Sequence, residues 1–231
     1  MRTVHVEPPS EIGRRDGLSY AIFLPAGAPL GGVVSIHGAG SCKENHYDFA
    51  RACRAAGLAA VAFDQRGHGD SDGALDGRAL DDVATIAGLL PEGPLAVRGS
   101  SMGGYVALVS AEAVDAVAVV AICPASAEML ARGLRDGRFP FRADEPSLTR
   151  FLAGHDATSA AAGLGDRLLL LHAEADEQVP VTHSRELHAA APGSRLVVAP
   201  GGHHGSVQHD PELQALAVRF IVRAVRDAAS G

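Results

Sequence analysis

The sequence predicts an α/β protein with a mostly parallel central sheet and helices on both faces. Short β-rich runs alternate along the chain with stretches of helical spacing, an order typical of parallel sheets whose crossovers are helices. Several runs are apolar throughout, as strands must be when both faces of a sheet are covered. With 231 residues, of which 47% are apolar, the chain can bury such a core without disulfides or metals. We expect one domain spanning residues 1–231.

About eight strands and five regular helices are predicted. The strands are Val4–Val6, Tyr20–Leu24, Val33–Ile36, Ala59–Phe63, Leu95–Val97, Val117–Ile122, Leu168–Leu171 and Leu196–Ala199. The helices are His46–Ala56, Arg78–Leu90, Met102–Val114, Thr182–Ala191 and Leu213–Val225. Asp210 and Pro211 are suited to open the last helix as its N-cap and first residue. Because the first two strands precede any helix, we expect them to form an antiparallel hairpin at one edge of the sheet.

A segment at about 124–166 interrupts the alternation between the sixth and seventh strands. It contains two or three short helical patterns around the sequence RDGRFPFRADEP and is too long for a simple crossover. We therefore expect a small lid, too short to enclose a large cavity. In open parallel sheets, ligands bind beyond the carboxyl ends of the strands, so the chemistry is expected in the loops that follow strands.

The fifth strand is followed by a G-x-S-x-G pattern, Gly99–Gly103, centred on Ser101. A very tight turn from a strand into a helix puts the central serine at its apex and leaves no room for a Cβ two residues to either side. Gly69–Gly73 around Ser71 matches the same pattern, but it lies in a Gly/Asp loop without the strand and helix. An N-cap role would also explain a serine at position 101, but it would not require the flanking glycines. Ser101 is therefore the predicted nucleophile.

A serine nucleophile needs a base, and the base needs an acid that orients it. The loop after the seventh strand offers Asp176, with Glu174 and Glu177 as competitors. The loop after the eighth strand offers the adjacent His203 and His204, and chain order alone does not separate them.

Four motifs together resemble the α/β-hydrolase family of serine esterases and lipases. They are the Gly99–Gly103 elbow, His37-Gly38-Ala39-Gly40, Asp64-Gln-Arg-Gly-His68-Gly-Asp-Ser71, and the late pair Asp176-x-x-Val-Pro180 and Pro200-Gly-Gly-His-His204. Their order extends over most of the chain, and Ser…Asp…His is the order found in this family. The resemblance implies an α/β-hydrolase fold.

The resemblance also implies roles for particular residues. Ser101 would be the nucleophile, Asp176 the orienting acid and His204 the base, and the main-chain amides of Ala39 and Met102 would form the oxyanion hole. Independently, the Met102 amide is expected in the first turn of a helix, where N–H groups are unpaired and the helix dipole favours an anion.

From this triad we expect hydrolysis of an ester-type bond of a small or medium substrate through an acyl-enzyme. Thioesterase, lactonase, amidase or peptidase and C–C hydrolase activities use the same triad and stay open, as does a non-catalytic binding module. We expect no cofactor. We also expect no metal, because His203, His204, His209 and Asp210 lack the helical spacing of an H-E-x-x-H site.

Composition excludes other classes of partner. A net charge of −7 creates no general attraction for nucleic acid, and 4% aromatic residues argue against a base-stacking surface. Three cysteines without a C-x-x-C motif argue against a disulfide framework. We expect a small-molecule substrate, no membrane association and, in the absence of a signal-peptide pattern, a cytoplasmic location. The oligomeric state stays open.

Polar residues beside these motifs are expected to be structural. His37 is expected to bind loop backbone, and His172 is a histidine at the end of a strand. Asp64 and Arg66 are expected to pair and brace their turn.

Overall fold

The computed structural model describes residues 6–230 and contains one eight-stranded sheet. The strands are β1 Glu11–Arg15, β2 Leu18–Phe23, β3 Gly32–Ile36, β4 Ala59–Phe63, β5 Leu95–Ser100, β6 Ala118–Ile122, β7 Leu168–Ala173 and β8 Arg195–Ala199. Their order is β1-β2-β4-β3-β5-β6-β7-β8. β2 is antiparallel to both of its neighbours, and all other pairs are parallel. The predicted α/β-hydrolase architecture is confirmed.

The edge hairpin forms, but its first strand is not where the sequence analysis put it. Residues 4 and 5 of the predicted Val4–Val6 strand lie outside the described residues, and Val6 belongs to no strand. The hairpin strand is β1, joined to β2 by Asp16 and Gly17, whose φ angles are 50° and 81°. Two central residues with positive φ are what a two-residue hairpin turn requires, and Asp-Gly is a favoured pair there. β1 is largely exposed, so it lacks the apolar pattern that identifies a buried strand.

Eight α-helices cover the two faces of the sheet. They are α1 Tyr47–Ala55, α2 Ala79–Ala87, α3 Met102–Ser110, α4 Ala127–Arg135, α5 Glu145–Gly154, α6 Ala157–Leu164, α7 Val181–Ala190 and α8 Pro211–Ala229. Apolar residues of α1 and α8 form the core on one face, and those of α2 to α7 form the core on the other. Asp210 caps α8 as predicted, accepting hydrogen bonds from the amides of Glu212 and Leu213 at 2.9 Å. None of the helices between residues 6 and 230 is long and apolar enough to cross a membrane.

The segment 124–166 contains α4, α5 and α6. α6 packs against α3 and α7, as the crossover helix between β6 and β7 would. α4 packs on α5. The loop between these two helices is attached to the body of the protein, since the Leu75 amide donates to the Arg142 carbonyl at 2.8 Å and the Phe141 ring lies 4.3 Å from that of His68. These contacts attach the α4–α5 loop to the long loop between β4 and α2.

The Asp64–Arg66 pair predicted for the loop after β4 is not formed. Asp64 instead accepts hydrogen bonds from the Lys43 amide at 2.7 Å and from Lys43 Nζ at 2.8 Å. Arg66 makes a bidentate pair with Asp82 on α2, with N–O distances of 2.9 to 3.1 Å. Lys43 is the single lysine of the chain, and its side chain is 3% exposed. Because two charged pairs are present instead of one, the loop is bound both to the segment after β3 and to α2.

Candidate active site

Ser101 occupies the sharp turn between β5 and α3. Its φ of 56° and ψ of −117° lie in a region that residues with a side chain rarely adopt and that costs free energy to hold. The turn is fixed by its own main chain, because the Ser101 amide donates to the Ile122 carbonyl at 2.8 Å and the Ser101 carbonyl accepts from Tyr105 and Ala125, both at 3.1 Å. The strained conformation is therefore determined by the surrounding strand and helix.

The glycines on either side of Ser101 are needed because the chain passes too close for a side chain. A Cβ at position 99 would overlap the carbonyl group of Gly103. A Cβ at position 103 would overlap the carbonyl oxygens of Ile36 and His37 at the end of β3. Both obstacles are backbone atoms, which cannot move aside as the tip of a flexible side chain can.

Asp176 and His204 are hydrogen-bonded to each other from the loops after β7 and β8. His204 Nδ1 lies 2.7 Å from Asp176 Oδ2, and Asp176 Oδ1 accepts from the amides of Gln178 and Val179 at 2.9 Å. Burial alone would raise the pKa of Asp176, but the hydrogen bonds from Val179 and His204 outweigh it and the pKa lies below its usual value. The acid is therefore a carboxylate at neutral pH and can orient the imidazole.

The competing residues from the sequence analysis point elsewhere. Glu174 and Glu177 are exposed, and neither hydrogen-bonds His204 within residues 6–230. His203 is exposed, and its amide and carbonyl both bond the hydroxyl of Ser206. Asp176 is the carboxylate that accepts the hydrogen bond from His204.

Ser71, at the centre of the second G-x-S-x-G pattern, is buried between β2 and the loop after β4. Its hydroxyl accepts from the Ser19 amide at 2.8 Å and donates to the Asp64 carbonyl. Both bonds are to main chain, so this serine joins a loop to a strand and is not free to act on a ligand.

A pocket of about 700 Å³ opens beside Ser101 and is also lined by His204 and Ala39. Met129 of α4 and Phe139 of the following loop contribute to its apolar wall. The pocket thus places the serine, the histidine and the turn after β3 around one volume large enough for a small or medium ligand.

The two predicted oxyanion-hole residues follow different strands, Ala39 after β3 and Met102 after β5. Ala39 is part of the pocket wall. The Met102 side chain instead lines a separate small apolar cavity beneath α4 and α5, so only its main chain is available to a ligand. Met102 is the first residue of α3, so its amide N–H has no acceptor within the helix.

His172, the strand-end histidine expected to be structural, lies on β7 next to Asp176, a contact that the sequence did not reveal. Its Nε2 donates to the Val179 carbonyl at 2.9 Å and lies 3.3 Å from Asp176 Oδ2, while Nδ1 accepts from the Ser184 hydroxyl at 2.7 Å. Burial lowers the pKa of His172, so the ring is neutral. Its position four residues before Asp176, at the end of a strand, was the available signal.

Arg98 was also missed, because an arginine within an apolar run gives no indication of its partners. It is buried on β5 with its guanidinium 4.1 Å from the centre of the Phe49 ring. It donates to His46 Nδ1 at 2.7 Å and to the Gln208 carbonyl at 3.0 Å. Burial lowers the pKa of Arg98 to about 10, so it remains charged at neutral pH. Arg98 therefore connects the strand that carries Ser101 to the loop that carries His204.

In the part of the chain that the structure describes, the ligand atoms of His203, His204, His209 and Asp210 do not lie together as a metal site. His204 binds Asp176, His209 binds Asp48 at 2.8 Å, and Asp210 caps α8. Within the described residues, Cys123, Asp176 and His204 have ligand atoms that lie within 4.8 Å of one another. Burial raises the pKa of the Cys123 thiol, so it is protonated and poorly suited to bind a metal at neutral pH.

Buried neutral histidines predict a loss of stability in mild acid. Burial lowers the pKa of His37 to about 4 and the pKa of His46 well below 6.5. Each pKa is lower in the folded chain than in the unfolded one, so their contribution is complete above pH 6.5 and is lost as the pH falls towards 4. The lowered pKa of His37 alone corresponds to about 3 kcal/mol of the free energy of unfolding, which is lost once the pH is below 4. We expect the free energy of unfolding, measured by urea titration, to fall steadily between pH 7 and 4.5.

The control for this prediction is His37→Asn, which removes one of the titrating groups. Its free energy of unfolding should change less steeply with pH than that of the wild type, whatever its absolute stability. A wild-type stability that is constant from pH 7 to 4.5 would contradict the prediction.

The chain has the α/β-hydrolase fold, and its similarity to hydrolases of that fold supports a hydrolase. Residues 27–135 match the family model described as serine aminopeptidase, S33, and residues 153–229 match the model described as TAP-like protein. The sequence is 29% identical to a monoacylglycerol lipase of Mycolicibacterium smegmatis, over 84% of this chain and 87% of that protein.

Solved structures share the fold at lower sequence identity. A monoacylglycerol lipase from Paleococcus ferrophilus superimposes with a TM-score of 0.69 at 23% identity, covering 91% of this chain and 99% of that one. A serine hydrolase without a lid from Xanthomonas campestris superimposes with a TM-score of 0.64 at 21% identity, covering 95% of each chain.

Proposed function

We propose that the protein is a serine hydrolase that cleaves a carboxylic ester of a small or medium substrate through an acyl-enzyme. The observation that carries the proposal is a strained serine that lines the same pocket as a histidine whose Nδ1 is held by a buried carboxylate. A serine hydroxyl is a weak nucleophile, and an oriented neutral imidazole is what activates it.

In the proposed reaction, His204 accepts the Ser101 proton as Ser101 Oγ attacks the substrate carbonyl carbon. His204 Nδ1 donates to Asp176, so Nε2 carries the lone pair that takes this proton. The negative charge that develops on the carbonyl oxygen is stabilised by the amides of Ala39 and Met102, each worth about 2.7–4 kcal/mol in sites of this type.

The tetrahedral intermediate then collapses, and the proton on His204 goes to the alcohol that leaves. A water molecule, deprotonated by His204, attacks the acyl-enzyme. This second addition releases the carboxylic acid and returns Ser101 and His204 to their starting states. Each proton taken by His204 is given back within the same half-reaction, so no external acid or base is consumed.

The names of the similar proteins favour an ester substrate over other substrates. Two of the similar proteins are named monoacylglycerol lipase, and a pocket of about 700 Å³ suits a substrate of that size class. The family model described as a serine aminopeptidase makes peptide or amide hydrolysis the second candidate. Both substrates need the same triad, so the leaving group decides between them.

A panel of chromogenic esters, thioesters and amides with graded acyl length tests the proposal. We expect 4-nitrophenyl esters of short and medium acids to be hydrolysed and the matching anilides to be far slower. A fluorophosphonate probe should label the wild type at Ser101. Faster cleavage of the anilides would favour the second candidate, and a folded protein that neither labels nor turns over would support a binding module.

Substitution of the two adjacent histidines is expected to change ester hydrolysis to very different extents. His204→Ala should lower ester kcat/KM by about 10³-fold or more, because His204 is the histidine that lines the pocket with Ser101 and can take the serine proton. His203→Ala is the matched control and should keep activity within a few-fold, since its side chain is exposed and outside the pocket lining. The reverse pattern would move the proposed base to His203.

A further inference from the structure

The side of the pocket formed by α4 and the following loop carries two arginines, although the whole chain is acidic. Between residues 130 and 142 there are four arginines and one aspartate, in a protein with a net charge of −7. Two of these arginines, Arg132 on α4 and Arg138 in the following loop, line the same pocket as Ser101 and His204. Two arginines of this segment therefore lie where a substrate would bind.

The two arginines differ in how their charges are balanced. Arg138 forms an ion pair with Asp136, with an N–O distance of 2.6 Å. Arg132 has no carboxylate within 4.0 Å anywhere in residues 6–230. Its guanidinium keeps all five donors for a ligand, in a planar arrangement that matches a carboxylate or phosphate.

The remaining lining shows where an anionic group would be placed. Met129, Leu130 and Phe139 give this side of the pocket an apolar surface next to Arg132. Among the described residues, Glu177 is the one carboxylate that lines the pocket, and it comes from the loop after β7. A negative group would be repelled by Glu177 and attracted to Arg132, so it would bind towards α4 with the apolar part of the substrate between it and Ser101.

We propose that Arg132 makes the pocket selective for esters whose acyl part ends in an anionic group, a carboxylate or phosphate, on a short apolar stem. This deepens the proposed function and rests on it. Arg132 is exposed to solvent, so its effect is expected to be severalfold and to weaken with added salt.

Three 4-nitrophenyl esters with the same leaving group and similar length test the proposal. They are the monoglutarate, which is anionic, the butyrate, which is neutral, and the 4-(trimethylammonio)butyrate, which is cationic. We expect Arg132→Gln to lower kcat/KM for the monoglutarate by about threefold to tenfold, mainly through KM, and to leave the butyrate within twofold.

Arg135→Gln is the matched control, because it removes the same charge from the same helix outside the pocket lining. Arg135→Gln should leave kcat/KM unchanged for all three substrates. Selectivity for the monoglutarate that Arg132→Gln does not alter, or a wild-type preference for the cationic ester, would overturn the proposal and leave the proposed ester hydrolysis intact.

A binding measurement separates this proposal from the proposed function. Ser101→Ala protein should bind monomethyl glutarate more tightly than methyl butyrate in ligand-observed NMR titrations, and the added substitution Arg132→Gln should remove the difference. Equal binding of the two probes would refute the anion site. If no ester is hydrolysed by the wild type while this difference in binding is seen, the proposed function fails and the anion site stands.

Discussion

Ser101→Ala is expected to lower ester hydrolysis by about 10⁴-fold or more, because the proposed acyl-enzyme cannot form without the hydroxyl oxygen. The substitution keeps the Cβ, so the strained turn and its three main-chain hydrogen bonds are retained. Circular dichroism and thermal unfolding should therefore match the wild type. The measurement is kcat/KM on the preferred 4-nitrophenyl ester together with loss of fluorophosphonate labelling.

Two serine variants serve as controls. Ser100→Ala removes a hydroxyl from the adjacent residue, which also lines the pocket, and should stay active. Ser71→Ala should stay active but be less stable, since it loses two buried hydrogen bonds to main chain. An inactive Ser71→Ala together with an active Ser101→Ala would move the nucleophile to the other glycine-flanked serine.

Gly103→Val is expected to prevent folding or to abolish activity. Its side chain would be forced against two carbonyl oxygens at the end of β3, and neither the strand nor the helix start can retreat without breaking the sheet. Soluble yield, thermal unfolding and ester turnover measure the effect.

Gly163→Val is the matched control in a helix, because a Cβ at position 163 meets nothing within 4 Å. Glycine and valine are both poor helix formers, so little change in stability is expected. A soluble, fully active Gly103→Val protein would show that the turn has more space than the backbone positions indicate.

Most of the parallel part of the fold was predictable because its strands, apart from the half-exposed β8, are buried on both faces. β3, β4 and β6 consist entirely of buried residues, and such short apolar runs are a strong signal. The edge strand β1 gives the opposite case, since its exposed residues show no apolar alternation and only the Asp16-Gly17 turn marks it. Sequence patterns thus identified the strands by their burial and failed where burial was absent.

Much of the candidate site depends on distances between loops that sequence spacing does not determine. The motif could indicate Ser101, because its glycines reflect a local steric requirement. That Arg66 pairs with Asp82 and not with Asp64, or that Arg98 reaches Gln208, depends on how separate elements pack. These ion pairs and buried cations are long-range features, and no local pattern encodes them.

The buried ε-amine of Lys43 makes it a chemical reporter of local opening. Amine-acylating reagents need an accessible, deprotonated amine, whereas Nζ is held by Asp64 at 2.8 Å and Asp70 at 3.0 Å, which contribute to raising its pKa. Lys43 follows the His37–Gly40 turn, so the amine becomes reactive when the segment beside the pocket detaches. With one lysine in the chain, the rate of acylation at that residue would measure how often this segment opens while the sheet stays folded.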